Sequence, residues 1–167
     1  STMLEIILDE YEILAAGNTA LLRITESMRQ NIEWGHGYKG SFNKKVADSM
    51  SGTLGELAVA KCLKTNFNYH VNNFKGADLY YKNRRVQVRT QEPKPDNFLI
   101  IRQDSAANEI YILVVDRCPL FRIIVYINSS DVICNCEYLT DFGYKDRPKV
   151  YAVPFLNLFP IEMIFNE

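Results

Sequence analysis

The spacing of apolar and polar positions divides the chain into a helical start and a strand-rich remainder. Leu4–Leu8 is a short apolar run of β character. From Asp9 to about Glu33 the apolar positions recur at helical spacing, with Leu14, Leu21, Leu22, Ile24 and Met28 expected on the buried side. Gly17-Asn18 weakens the middle of this helix and is expected to divide it. Residues 35–48 (GHGYKGSFNKKVAD), rich in glycine and polar side chains, read as a loop. A second helix is predicted from Thr53 to Lys64, with Leu54, Leu57, Ala58 and Cys62 on one face. From residue 70 the period becomes two. Strands are expected at Ala77–Tyr81, Arg84–Gln91, Phe98–Arg102, Ile110–Val115, Phe121–Ile127 and Val150–Val153, with His70 as a strand start. Beyond Pro154 the tail runs as a short helical or extended piece to Pro160. Without repeats or linkers this is one domain over 1–167. Its class is α/β or α+β, a mixed β-sheet flanked by helices.

Composition narrows the class only a little. At 167 residues, 47% hydrophobic and 12% aromatic, the chain can bury a core and is not a disordered type. No eighteen-residue apolar run and no basic leader precede the helix, so a cytoplasmic protein without a membrane span is expected. Ser1-Thr2 ahead of Met3 reads as an appended dipeptide. Cys62, Cys118, Cys134 and Cys136 lack the paired spacing of a zinc site. Cys134 and Cys136 would share one strand face, as a redox pair or metal site needs, but reduced thiols acting as small hydrophobes are the plainer reading.

The net charge of −1 hides a gradient: residues 39–94 hold eleven basic and four acidic residues, against two and six before them and six and ten after. A polyanion would be drawn to that middle segment. Lys39, Lys44 and Lys45, with Trp34 nearby, are candidate contacts to a DNA backbone and base, and His36 is a candidate substrate contact. A surface loop and a solvated charged face account for the same residues. Tyr80, Tyr81, Tyr111, Tyr126 and Phe98 read as core.

The sharpest signal lies in the paired strands. If Lys82-Asn83 is a two-residue hairpin loop, Tyr81 faces Arg84 and Asp78 falls opposite Gln87, Cβ atoms about 5 Å apart. Arg85, Gln87, Arg89 and Gln91 then share one face, and Val86, Val88 and Thr90 take the other. A carboxylate, an amide and two guanidinium groups side by side are what a phosphate and a hard cation together require. Each residue also has a plainer account. Thr53-x-x-Glu56 fits a capping box, Asp78 fits a cap on the Gly76 turn, and Arg89 with Asp78 fits a surface ion pair.

The strings SGTLGELAVAKCL, FKGADLYY and RRVQVRTQ resemble the helix, strand and strand of the PD-(D/E)XK nuclease superfamily. The motifs span residues 52–91. Over nearly its full length, including Val153-Pro154, Leu158 and Pro160, the chain resembles small phage-type proteins of uncharacterised role. The resemblance implies a nuclease-like core and a metal-dependent DNA endonuclease, with Glu56, Asp78, Gln87 and Arg89 as the catalytic set. Glu56, Asp78, the Gln87 carbonyl and the Val88 carbonyl would hold Mg²⁺ or Mn²⁺. Arg85, Arg89 and Gln91 would join the lysines on the nucleic acid. Gln87 and Arg89 stand where the family has an acid and a lysine. Arg89, with a pKa above about 12, cannot serve as a base, which leaves water activation to the metal or a neighbouring carboxylate. A catalytically weak DNA-binding or phage accessory protein on the same scaffold is the alternative. A homodimer would suit duplex cutting.

Overall fold

A computed structural model describes residues 3–32, 40–73, 76–93 and 98–167. Strand β1 (Leu4–Ile7) leads into helix α1 (Glu10–Arg29). Asp9 caps that helix: its carboxylate accepts from the Glu12 amide (2.8 Å), while the Glu12 carboxylate accepts from the Asp9 amide (2.9 Å). Two expectations for α1 need correction. It runs through Gly17-Asn18 unbroken, because Gly17 is buried against the second helix, where an added Cβ would stand 3.1 Å from Met50 Sδ. Its buried side is also a different one. Ala16, Gly17, Thr19, Ala20, Ile24 and Ser27 face inward, while Leu14, Leu21, Leu22 and Met28 are exposed. Small side chains let the two helices approach closely, and the large ones have no room between them.

Helix α2 (Phe42–Leu63) starts at Phe42, not Thr53. Ser41 is its N-cap, accepting from the Lys44 amide at 3.2 Å. Residues 42–48 are therefore helical rather than loop, and Thr53-x-x-Glu56 sits in the helix interior instead of forming a capping box. The stretch FNKKVADSMSG has few apolar positions to show a period, so its helicity carries little signal in the sequence. The end does: Lys64 takes a left-handed conformation (φ 53°) and stops the helix.

Strands β2 (Leu79–Tyr81), β3 (Arg84–Gln91), β5 (Ile110–Arg117) and β6 (Leu120–Asn128) build the main sheet with β1, in the order β1-β6-β5-β3-β2. β3 and β5 are parallel and the other pairs antiparallel, so the sheet is mixed. Strands β4 (Phe98–Arg102), β7 (Leu139–Thr140) and β8 (Val150–Pro154) form a second sheet, order β4-β8-β7. Strand β9 (Phe159–Pro160), between short 3₁₀ turns of the tail, pairs with β6. The predicted hairpin register holds for three pairs, Tyr81 with Arg84, Tyr80 with Arg85 and Leu79 with Val86, but the pairing does not extend to the expected fourth, Asp78 with Gln87: the Asp78 N–H donates to the Val86 carbonyl instead (3.0 Å). Lys82 and Asn83 both have positive φ (48° and 63°), the backbone a two-residue turn of this kind needs.

Three layers result. On one face of the main sheet Val86, Val88, Ile110, Ile112 and Val114 pack on Leu54, Leu57 and Ala58 of α2. On the other face Tyr111 and Leu113 pack on Leu99, Ile101 and Val153 of the second sheet. Every residue from Ile110 to Val114 is buried, as expected of a strand covered on both sides. Smaller expectations also change. β2 begins at Leu79, and His70 belongs to a segment without regular structure. Cys134 (φ 73°) lies in a turn and Cys136 opens a 3₁₀ turn, so they do not share a strand face, and all four cysteines are free thiols. Tyr111 and Tyr126 are core; Tyr80 and Phe98 are exposed. No helix among the described residues is long and apolar enough to cross a membrane.

Candidate functional site

β2 ends three residues into its pairing, which leaves the outer edge of β3 open beyond Val86. An exposed edge amide needs a partner. Asp78 supplies it, accepting from the Val88 N–H at 2.7 Å. Because the edge is open, groups from both faces of the sheet meet there. Glu56 reaches it from α2, on the helical side. Arg85, Gln87 and Arg89 reach it from the opposite face, while Val86 and Val88 between them go to the core. Together they line a cleft of ≈ 800 Å³.

Glu56 is buried, and its Oε2 lies 2.9 Å from Nη1 of Arg23. Arg23 also donates to the Thr53 hydroxyl (3.4 Å) and to the carbonyls of Asn68 (2.6 Å) and His70 (2.9 Å). One guanidinium thus ties α1, α2 and the 68–70 segment to the carboxylate. Glu56 and Asp78 both line this cleft, near enough for the charge of one to act on the other. Burial, and after it the neighbouring Asp78 charge, pushes Glu56 well above the usual carboxylate range, with Arg23 opposing. Burial likewise raises Asp78, opposed first by the Arg89 charge and then by the Val88 N–H. Two neighbouring carboxyl groups drawn away from water resist both being ionised; a proton or a cation relieves them.

The other wall is organised by Glu109, buried at the start of β5. Its Oε1 accepts from Arg85 Nε (2.8 Å) and from Gln87 Nε2 (3.4 Å). With the amide nitrogen turned to Glu109, the Gln87 carbonyl oxygen is the end left to accept from elsewhere. The Arg89 guanidinium stacks 5.1 Å from the centre of the Tyr111 ring and donates to the Val88 carbonyl at 3.3 Å.

Of the residues singled out in the sequence, Glu56, Asp78, Arg85, Gln87, Val88 and Arg89 come together in this cleft. Gln91 does not; its side chain donates to the Phe98 carbonyl (3.0 Å) and ties β3 to β4. Lys44 and Lys45 lie on the first turns of α2, away from the cleft lining, and Lys44 pairs with Asp48 at 3.1 Å. Lys39, Trp34 and His36 lie outside the described residues. Two cleft residues escaped the sequence reading. Arg23 is the only charged residue between Glu12 and Glu26, and Glu109 stands directly before the uncharged run Ile110–Val115. Each is an isolated charge beside a core element, which is the signal that could have found them.

The basic middle segment is not a free positive face. Lys61 pairs with Glu12 (2.8 Å), Arg84 with Glu167 (3.1 Å) and Arg85 with Glu109. The cleft lining balances as well, with Arg23, Arg85, Arg89 and Arg102 against Glu56, Asp78, Asp104 and Glu109.

A hard divalent cation is tested by these donors. Two carboxylates in one cleft and an amide carbonyl not engaged by Glu109 suit it, since Mg²⁺ is commonly held by one or two carboxylates and keeps several waters. Two bonds work against a fuller set: Arg23 on Glu56 Oε2 and Arg89 on the Val88 carbonyl. Among the described residues no three His, Cys, Asp or Glu side chains gather as a metal cluster. The second Glu56 oxygen, Asp78 and the Gln87 carbonyl remain as the donors that fit. No family model, curated protein sequence or solved structure matches this chain.

Proposed function

We propose that the chain is a metal-dependent nuclease of the PD-(D/E)XK type, hydrolysing DNA phosphodiester bonds in the cleft at the β3 edge. The observation that carries this reading is the convergence of Glu56 and Asp78 on one cleft, where burial and the Asp78 charge hold the Glu56 carboxyl up and a cation would relieve it. Glu56, Asp78 and the Gln87 carbonyl would hold Mg²⁺ or Mn²⁺; Val88, whose carbonyl already serves Arg89, drops to a minor role. Such an ion supplies a Lewis acid and a water nucleophile at neutral pH.

The chain's own residues do the rest. Arg89, aligned by the Tyr111 ring, and Arg85, on the same face, offer guanidinium forks to a phosphate. Glu109 fixes Arg85 and Gln87, and Arg23 fixes Glu56. Among the described residues no lysine lines the cleft, and its arginines cannot act as a base. Free thiols fit a reducing, intracellular compartment, where this substrate is found.

A second reading, favoured by the two arginine bonds that compete with a cation, is a nuclease-fold protein that binds DNA without cutting it. Plasmid nicking with Mg²⁺ and with Mn²⁺ tests both. Cleavage is expected in the native chain and is expected to fall by about 100-fold or more in Glu56→Ala and Asp78→Ala, the scale set by removing a group that stabilises developing charge. Salt-sensitive DNA binding without cleavage would establish the second reading, and neither would reject both.

A further inference from the structure

The solvent face of α1 runs against the usual order of an amphipathic helix. Tyr11, Leu14, Asn18, Leu21, Leu22, Thr25 and Met28 all point outward, and none is charged. Tyr11 is 82% exposed, Leu14 61%, Leu22 and Met28 58% each, and Leu21 46%. The intervals of three and four residues make this a continuous seam five turns long, the spacing by which one helix packs along another. Taking about 200 Å² for a large side chain, the five exposed apolar residues present on the order of 500 Å². That is the upper range for a monomer's largest patch and most of the ~800 Å² that one partner buries in a stable interface.

We propose that this seam pairs with the same seam of a second copy, the two α1 helices lying antiparallel about a two-fold axis near Asn18–Leu21. Three features favour a second copy. Charges sit at the ends of the seam: Asp9 and Glu10 at the start, and at the finish Arg29, whose guanidinium is already held by Glu26 of the same turn (3.0 Å) but stays largely exposed. Reversing one helix sets the acidic start of each copy beside the basic finish of the other. The same reversal opposes the two helix dipoles. Asn18, with Thr25 one of two uncharged polar side chains in the seam, lies near its midpoint and can meet its own symmetry mate, a device that fixes register between helices. A lipid surface fits less well, because interfacial helices carry lysine and arginine along their polar border and this one carries Asp9, Glu10, Glu12 and Glu26.

The pairing leaves the cleft at the β3 edge unaltered and does not depend on its function. Sedimentation equilibrium of the full chain over a wide concentration range tests it. A dimer is expected. Leu21→Glu, at an exposed position that does not threaten folding, should weaken the dimer about 100-fold by burying an unpaired charge, with an unchanged circular dichroism spectrum. Glu10→Lys should weaken it by a few-fold, and Glu10→Lys with Arg29→Glu in one chain should restore it, since each exchanged pair again meets its opposite. A chain that stays monomeric at every concentration overturns the proposal, as does a dimer indifferent to Leu21→Glu. Failure of the double exchange to restore pairing overturns the antiparallel arrangement. A complex of larger mass only with another protein added would assign the seam to that partner and overturn self-pairing.

Discussion

At the scale of single residues, the energetics of the cleft turn on where the charge of Glu56 goes. Its folded-state pKa stands above the ordinary value of 4.5, and that of Asp78 above 3.8, both mainly through burial. A raised acid is stabilising while protonated in both states, and that contribution is lost as pH rises from the unfolded pKa through the folded one. Without divalent cation, this pair should therefore lower stability progressively as pH is raised from about 4 to neutrality. Thermal unfolding across that range should show a flatter profile in Asp78→Asn and in Glu56→Gln than in the native chain. A steeper profile in either variant would contradict the assignment. Among the described residues Arg23 supplies the only ion pair on Glu56. Arg23→Ala should cost about 3–5 kcal/mol at neutral pH, the range for stripping a buried charge of its partner, and less at acid pH, where Glu56 takes up a proton instead. Denaturant unfolding at two pH values reads this directly.

At the scale of elements, two glycines separate tight contact from looser contact. A Cβ on Gly55 would stand 2.0 Å from Thr90 Oγ1, on the strand that α2 packs against, so either helix or strand must move. Gly55→Ala should destabilise by about 1–3 kcal/mol. A Cβ on Gly17 meets only the flexible end of Met50, so Gly17→Ala should be neutral or gain up to ~1 kcal/mol from helix propensity. Thr90 Oγ1 is buried without a partner, and Thr90→Val, which keeps the shape and removes the hydroxyl, should gain about 1 kcal/mol. Urea titrations of the three variants check all of these. The elements also show what the sequence makes legible. The hairpin was readable because Lys82-Asn83 leaves alternating strands only one tight register, and the α1 start because Asp9 and Glu12 form a local cap. The start of α2 was not, since its first turns are polar and its cap, Ser41, lies far from the apolar run at Leu54. The buried side of α1 was misread for a related reason: apolar size marks burial only where room exists, and here the helices meet through alanine and glycine.

For the molecule as a whole, part of the positive segment read from the sequence is taken up by pairing. Among its described residues Lys61, Arg84 and Arg85 meet Glu12, Glu167 and Glu109 from outside the segment, contacts that only the fold creates. Convergence at the cleft was legible from four residues in order; its electrical balance was not, because Arg23 and Glu109 come from elements the motif does not include. That balance has a consequence for DNA. With four arginines against four acids, two of which resist being ionised together, the bare cleft offers a phosphodiester little net charge, and a divalent cation on Glu56 and Asp78 in place of a proton would make it more positive. On the proposed reading, DNA binding measured with Ca²⁺, which supports binding without requiring cleavage, should be clearly tighter than in chelator. Asp78→Asn should remove most of that difference. Arg89→Ala should weaken Ca²⁺-supported binding by roughly 10-fold and reduce the dependence of log affinity on log salt by about one, as expected when one phosphate contact is lost. Binding equally tight in chelator would mean that the arginines alone hold the phosphate. The Glu56–Asp78 pair would then be part of the scaffold, relieved by a proton rather than a metal.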